Sequence, residues 1–91
     1  MAHFLLEYRY VDQDARMAAR EEHLAYMRRL NAEGSVVLAG PFTDETGAVV
    51  VYAVRDLAAA QELVDGDPYT AAGATTGHSL REWHVVVPAQ D

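Results

Sequence analysis

The hydrophobic positions of this 91-residue chain follow two periods, which predict strands and helices in turn. Residues 3–11 alternate between apolar and polar faces, residues 79–87 alternate in a similar way, and both segments are predicted strands. Two β-branched apolar runs, 35–39 and 48–54, are separated by a polar turn and therefore predict an antiparallel hairpin. These two middle strands are apolar on both faces, which is typical of strands that are covered on both sides.

The longest predicted helix covers residues 14–33, where apolar side chains recur every three or four positions. Asp12 or Asp14 can cap its start, and Gly34 ends it. Its inward stripe, which has two polar members, is Met17, Arg20, His23, Leu24, Met27 and Leu30. Because a buried ionisable group needs a partner, the natural candidate is a carboxylate elsewhere in the chain.

Two shorter helical segments follow the hairpin. Asp56 caps a second helix, which Gly66 closes. Asp67 directly precedes a proline, a combination typical of helix starts, so residues 68–72 are predicted to form one helical turn that ends at Gly73. The order of elements is βαββαβ. The rule for crossover handedness folds this order into a four-stranded antiparallel sheet with two helices on one face, the ferredoxin-like α+β fold.

A chain of this length forms one domain, which covers residues 1–91. Two helices cover one face of the predicted sheet, yet its middle strands are apolar on both faces. An apolar sheet face left in water is an association surface. We therefore expect a homodimer that packs through its sheets.

Composition disfavours several partners. A net charge of −7 and a pI near 4.9 disfavour nucleic acid, because a polyanion is bound by clustered basic side chains. No apolar run reaches the roughly 18 residues of a membrane span, so no membrane partner is expected. Residues 1–3 lack the basic and apolar regions of a signal peptide, and the cytoplasm is therefore the expected location.

Residue types and spacing also limit the chemistry. The chain has no cysteine and no lysine, which excludes thiol nucleophiles, thiolate metal sites and lysine Schiff bases. Its other histidines, His3, His78 and His84, lack the spacing of metal ligands, and Ser35 and Ser79 lack the context of a nucleophile elbow. No glycine-rich phosphate loop occurs. We therefore expect neither a metal nor another cofactor.

His23 is the candidate for acid–base chemistry. An imidazole can take or release a proton near neutral pH, and a partner carboxylate would fix its tautomer and stabilise the imidazolium. Such a pair forms a base that needs no metal. Alternatively, His23 is a core histidine bonded to a backbone carbonyl, and Asp67 is only a helix cap.

Arg20 lies next to this candidate base. Its planar guanidinium suits the carboxylate or phenolate of a substrate. It could equally form a structural ion pair with Glu7 or Asp67.

Further residues could shape a cleft. Tyr8, Tyr10 and Tyr52 could line an aromatic-binding cleft, although tyrosines on strands more often belong to a core or an interface. Pro41 and Phe42 are expected to form a cleft wall or a turn without a chemical role.

Three motifs occur in a fixed order: Arg20 three residues before the helical histidine, the Ala-Gly-Pro-Phe turn at 39–42, and the Asp-Pro-Tyr motif at 67–69 with Ala-Gly at 72–73. In order and spacing they resemble the YciI-like (YCII-related) family over nearly the whole chain. The resemblance implies a dimeric α/β-barrel fold, a cleft near the dimer interface, and a His-Asp acid–base pair at His23 and Asp67. Tyr69, within the third motif, joins the candidate substrate-binding residues.

The same resemblance bears on the reaction. In the family that the chain resembles, one relative is a dehydrochlorinase that acts on a chlorinated hydroquinone-type ring. Muconolactone isomerases share the architecture of this family. Residues 74–77 would line the cleft. They are small and uncharged, so they do not indicate which substrate binds there.

These observations predict a small cofactor-independent lyase or isomerase that moves a proton on a cyclic or aromatic, anionic small molecule. His23 would be the general base or acid, Asp67 its orienting partner, and Arg20 the anion contact. Two alternatives remain: a non-catalytic module that binds a small ligand in the same cleft, and a structural dimer or accessory subunit. A catalytic pair must lie within hydrogen-bond distance and open on a concave pocket.

Overall fold

A computed structural model describes residues 1–90 of the chain. The elements, in order, are β1 (Ala2–Tyr10), α1 (Gln13–Ala32), β2 (Val36–Pro41), β3 (Gly47–Val54), α2 (Leu57–Asp65), α3 (Pro68–Ala71) and β4 (Thr75–Glu82). The sheet has the order β2-β3-β1-β4, and every neighbouring pair of strands is antiparallel. This is the ferredoxin-like βαββαβ arrangement with α3 as one additional turn, so the predicted fold class is confirmed.

The helix ends follow the predicted local chemistry. Asp12 caps α1, because its side chain accepts a hydrogen bond of 2.9 Å from a first-turn amide, and Asp56 caps α2 through a bond of 2.8 Å. Gly34 follows α1 with a φ of 88°, a left-handed conformation that glycine adopts at no steric cost. Among residues 1–90, no helix combines the length and the apolar character that a membrane crossing requires.

The core lies between the helices and one face of the sheet. Alternate residues of the central strands β1 and β3 point into it, and Met27 and Leu30 of α1 pack against them. Its largest fully buried side chains are Tyr52, Leu6 and Val50.

The opposite face of the sheet carries a row of apolar residues. Strand register places Leu38 beside Val51 and Val51 beside Leu5, one position out of phase with the core residues. The helices pack on the other face. Along this row Leu38 is 70% exposed, Leu5 is half-buried and Val51 is buried. We call the row Leu38, Val51 and Leu5 the second face.

The inward side of α1 differs from the predicted stripe. Its buried residues are Arg16, His23, Met27 and Leu30. Met17 is 62% exposed, and Arg20 is also exposed. The buried set starts at Arg16, and Met17 lies about 100° further round the helix, so its side chain points towards water.

The last strand was predicted over residues 79–87 but lies at Thr75–Glu82. A β-bulge in β4 at Gly77, which has a φ of 65°, shifts the register opposite Glu7 and Arg9 of β1, and pairing continues to Thr75. Because β1 begins at Ala2, it has few residues left that could pair with β4 beyond Glu82. The last bond is the amide of Trp83 to the carbonyl of His3, at 2.8 Å.

Candidate active site

His23 and Asp67 are 44 positions apart in the sequence and in direct contact in the fold. His23 Nδ1 lies 2.8 Å from Asp67 Oδ1, and the two residues are 8% and 3% exposed. An ionised carboxylate can only accept, so Nδ1 donates, and the lone pair of the neutral imidazole lies on Nε2. The contact forms because the inward face of α1 packs against the start of α3.

Asp67 has two roles through one oxygen atom. Its Oδ1 also accepts the amide hydrogen of Tyr69, at 2.9 Å, and so caps α3. Pro68, at the first helical position, has no N–H to compete for this oxygen. The helix cap and the histidine partner are therefore not exclusive alternatives.

Tyr69 holds the face of the imidazole. The two rings stack with 3.8 Å between their centres and 5° between their planes. Tyr69 is itself buried and meets the ring of Tyr10 edge to face. With Asp67 on one edge and Tyr69 on one face, the imidazole of His23 is held in one orientation.

A pocket of about 130 Å³ opens beside His23, between α1 and the sheet. A cavity of about 150 Å³ in another protein holds one benzene molecule, so this pocket has room for a single ring. Its walls are Tyr8, Tyr10, Arg16, Arg20, His23, Leu24, Met27, Ala39, Gly40, Pro41, Ala48, Val50 and Tyr69.

The structure brings most of the predicted site residues to this pocket. Those that line it are Tyr8, Tyr10, Arg20, His23, Pro41 and Tyr69. Asp67 lies behind His23. Phe42 is not among the lining residues; it belongs to the turn before β3, where its amide donates to the carbonyl of Gly47 at 2.8 Å. Tyr52 is fully buried in the core instead of lining the cleft.

Arg20 and a second arginine bring positive charge to the pocket. Within residues 1–90, no carboxylate lies at ion-pair distance from Arg20, so the structural pairs with Glu7 and Asp67 are not formed. Sequence reasoning missed Arg16, which is buried with its guanidinium carbon 3.9 Å from the centre of the Tyr10 ring. Its spacing was the available signal. Arg16 lies four residues before Arg20 and seven before His23, and residues with these spacings share one side of a helix.

Tyr8 and Tyr10 carry neutral hydroxyls in the pocket. Burial raises the pKa of Tyr8 far above its usual value, and the neighbouring Tyr10 and Asp67 raise it further. Burial also raises the pKa of Tyr10, although the Arg16 guanidinium opposes this effect. Both side chains therefore stay protonated at neutral pH and can donate a hydrogen bond to a ligand. In the described part of the chain, no three histidine, aspartate or glutamate side chains are grouped to hold a metal ion.

Two known proteins are similar to this chain in sequence. Protein YciI of Escherichia coli is 36% identical over 83 residues, which cover 80% of this chain and 85% of that protein. An uncharacterized protein of Haemophilus influenzae is 37% identical over 70 residues, or 66% of this chain and 71% of that protein.

A solved structure shares the fold. It is 5-chloro-2-hydroxyhydroquinone dehydrochlorinase from Burkholderia phenoliruptrix in complex with 2,5-dihydroxybenzoquinone, with a TM-score of 0.77 and 22% identity over 96% of this chain and 99% of that one. The family model of the YCII-related domain matches residues 1–84. The chain therefore belongs to the YCII-related family, as its motifs predicted.

Proposed function

We propose that this protein is a small cofactor-independent enzyme, a lyase or isomerase, that moves a proton on a cyclic or aromatic, anionic small molecule. The observation that carries the proposal is the 2.8 Å contact of His23 with Asp67 at a pocket sized for one ring. The shared fold with a dehydrochlorinase solved with a dihydroxybenzoquinone supports the same substrate class.

The His23–Asp67 pair would move the proton. Nε2 of His23 takes a proton from a ring carbon or hydroxyl, and the carboxylate of Asp67 stabilises the resulting imidazolium. The released electron pair forms a double bond. In a lyase the leaving group departs with its own bonding pair, whereas in an isomerase the imidazolium returns the proton at another ring position.

The other pocket residues would hold the substrate. Negative charge on a ring oxygen develops as the proton leaves, and Arg20 supplies a positive charge beside the base. The neutral hydroxyl of Tyr8 can donate to the same oxygen. Tyr69 keeps the imidazole in place by stacking and would contact the substrate at the edge of the pocket.

The test is a screen of dihydroxy-aromatic, lactone and muconate-type compounds, first for binding and then for turnover, with the parent protein and with His23→Ala. His84→Ala is the matched control, because His84 is exposed and outside this pocket. Turnover that is lost in His23→Ala and kept in His84→Ala supports the proposal. Binding without turnover in the parent favours the non-catalytic ligand-binding module.

The proposed enzyme is a homodimer associated through the second face, where apolar residues lie away from the helices. A chain without cysteine is compatible with the cytoplasm, which remains the location that we propose.

A further inference from the structure

Arg16 is a buried cation with incomplete hydrogen bonding. Its side chain is 7% exposed, and its Nε is buried without a hydrogen-bond partner among residues 1–90. Nη1 donates to Oε1 of Gln13 at 3.1 Å, which is the one side-chain hydrogen bond of this guanidinium within the described residues. An arginine has five N–H donors, so most of them are free.

The charge of Arg16 is also weakly balanced. The nearest carboxylate, that of Glu45, lies 3.5 Å from Nη1, and the Glu45 side chain is 71% exposed. Water and salt screen an ion pair with such an exposed partner. The guanidinium carbon lies 3.9 Å from the centre of the Tyr10 ring, and this cation–π contact needs none of the N–H donors as a hydrogen bond.

Arg16 and His23 both line the same pocket. They are seven residues apart on α1, which places them on one side of the helix and about 10 Å apart along its axis. Arg20 lies one turn from Arg16 in the same wall. A ring that presents a carbon to His23 therefore directs its far substituent towards Arg16.

We propose that Arg16 is the anion-binding subsite of this pocket, and that the ligand is a single-ring compound with a carboxylate or phenolate opposite the atom that faces His23. The free edge of the guanidinium matches the two oxygens of a carboxylate. The role of His23 in this statement rests on the proposed function, whereas the anion subsite is a claim about binding alone.

The experiment compares two probes that differ in charge, 4-hydroxybenzoate and the neutral 4-hydroxybenzamide, by calorimetry and by NMR of the arginine side chains. The parent should bind the benzoate more tightly and should show a shift of the Arg16 Nε–H signal when it is added. Arg16→Gln should weaken benzoate binding about tenfold or more and leave benzamide binding nearly unchanged. Arg28→Gln is the control, because Arg28 is exposed on α1 outside this pocket.

A second variant tests the subsite without removing the arginine. Glu45→Gln removes the carboxylate that competes with the ligand, so benzoate should bind more tightly than to the parent. The proposal is overturned if Arg16→Gln discriminates between the probes as the parent does, or if it loses both probes equally while still folded. Because the assay measures binding, loss of turnover in any variant does not affect its result, and a failure of the proposed function is distinguished from a failure of the subsite.

Discussion

The imidazole ring of His23 lies flat against the phenol ring of Tyr69, with 3.8 Å between the ring centres. Tyr69 comes two residues after Asp67, which bonds Nδ1 of the same imidazole. One short segment at the start of α3 therefore holds both an edge and a face of the histidine. This fixed orientation is what a general base requires, because proton transfer depends on the position of the acceptor atom.

The first prediction concerns His23→Ala. The change leaves the buried carboxylate of Asp67 without its histidine and opens a void beside Tyr69, so the free energy of unfolding should fall by about 2 kcal/mol while the fold persists. Turnover of a substrate found in the screen should fall about a hundredfold to ten-thousandfold. Urea denaturation and initial rates measure the two effects separately. A variant that is unfolded in buffer would show that the histidine is chiefly structural.

The second prediction concerns Asp67→Asn. Asparagine caps helices as well as aspartate does, so α3 should remain intact. The variant loses the carboxylate that stabilises the imidazolium formed during proton transfer, so turnover of a substrate found in the screen should fall. Initial rates of parent and variant measure this effect. Equal turnover in the two proteins would mean that Asp67 acts only as a helix cap.

The third prediction concerns an unpaired hydroxyl in the core. The oxygen of Tyr52 is buried without a hydrogen-bond partner among residues 1–90. Tyr52→Phe should therefore leave the free energy of unfolding unchanged or raise it, by up to about 1 kcal/mol. Tyr26→Phe is the matched control, because the Tyr26 hydroxyl donates to the carbonyl of Leu63 at 2.7 Å and its loss should cost about 1 kcal/mol. Equal destabilisation in the two variants would contradict the prediction.

The fourth prediction concerns the stability of the protein at alkaline pH, which depends on Tyr8 and Tyr52. Burial raises the pKa of Tyr8 and of Tyr52 well above the usual value, and the charge of Asp67 adds to both shifts. In the unfolded chain these groups ionise near pH 10, about the ordinary tyrosine value, while the folded chain keeps their protons. The unfolded state then binds fewer protons, so stability falls above about pH 10 by roughly 1.4 kcal/mol per pH unit for each tyrosine. Urea denaturation at a series of pH values above about 10 gives the free energy of unfolding at each pH. This free energy should fall less steeply with pH for Tyr52→Phe than for the parent.

The sequence predicted those parts of the fold that depend on local pattern. Period and capping residues located the first three strands and all the helices, because Asp12, Asp56 and Asp67 act on amides a few positions away. The predicted position of the last strand is wrong, because the true position depends on where β1 begins and on a β-bulge at Gly77. The start of β1 is a property of a neighbouring strand and Gly77 precedes residue 79, so the pattern of residues 79–87 contains neither.

The candidate site was predictable to a similar degree. The helix stripe identifies His23, whereas the pairing with Asp67 comes from the order of the motifs, because periodicity alone cannot bring together residues 44 positions apart. The predicted stripe begins at Met17, one position after Arg16, and does not contain it. A hydrophobic stripe is found by its apolar members, so the spacing to Arg20 and His23 is the only sign of a buried arginine at its end.

The last prediction concerns the second face. Leu38 is 70% exposed there, beside the half-buried Leu5 and the buried Val51, and we expect a partner chain to cover Leu38 and the exposed part of Leu5. Sedimentation equilibrium at micromolar concentration should therefore give twice the 10.0 kDa mass of one chain. Leu38→Glu should shift the mass to that of one chain, because a carboxylate would be buried without a partner in the interface. Leu57→Glu is the control, since Leu57 is an exposed leucine on α2, and its dimer should persist. A parent that sediments as one chain, or a dimer dissociated by Leu57→Glu and kept by Leu38→Glu, would contradict association through the sheet.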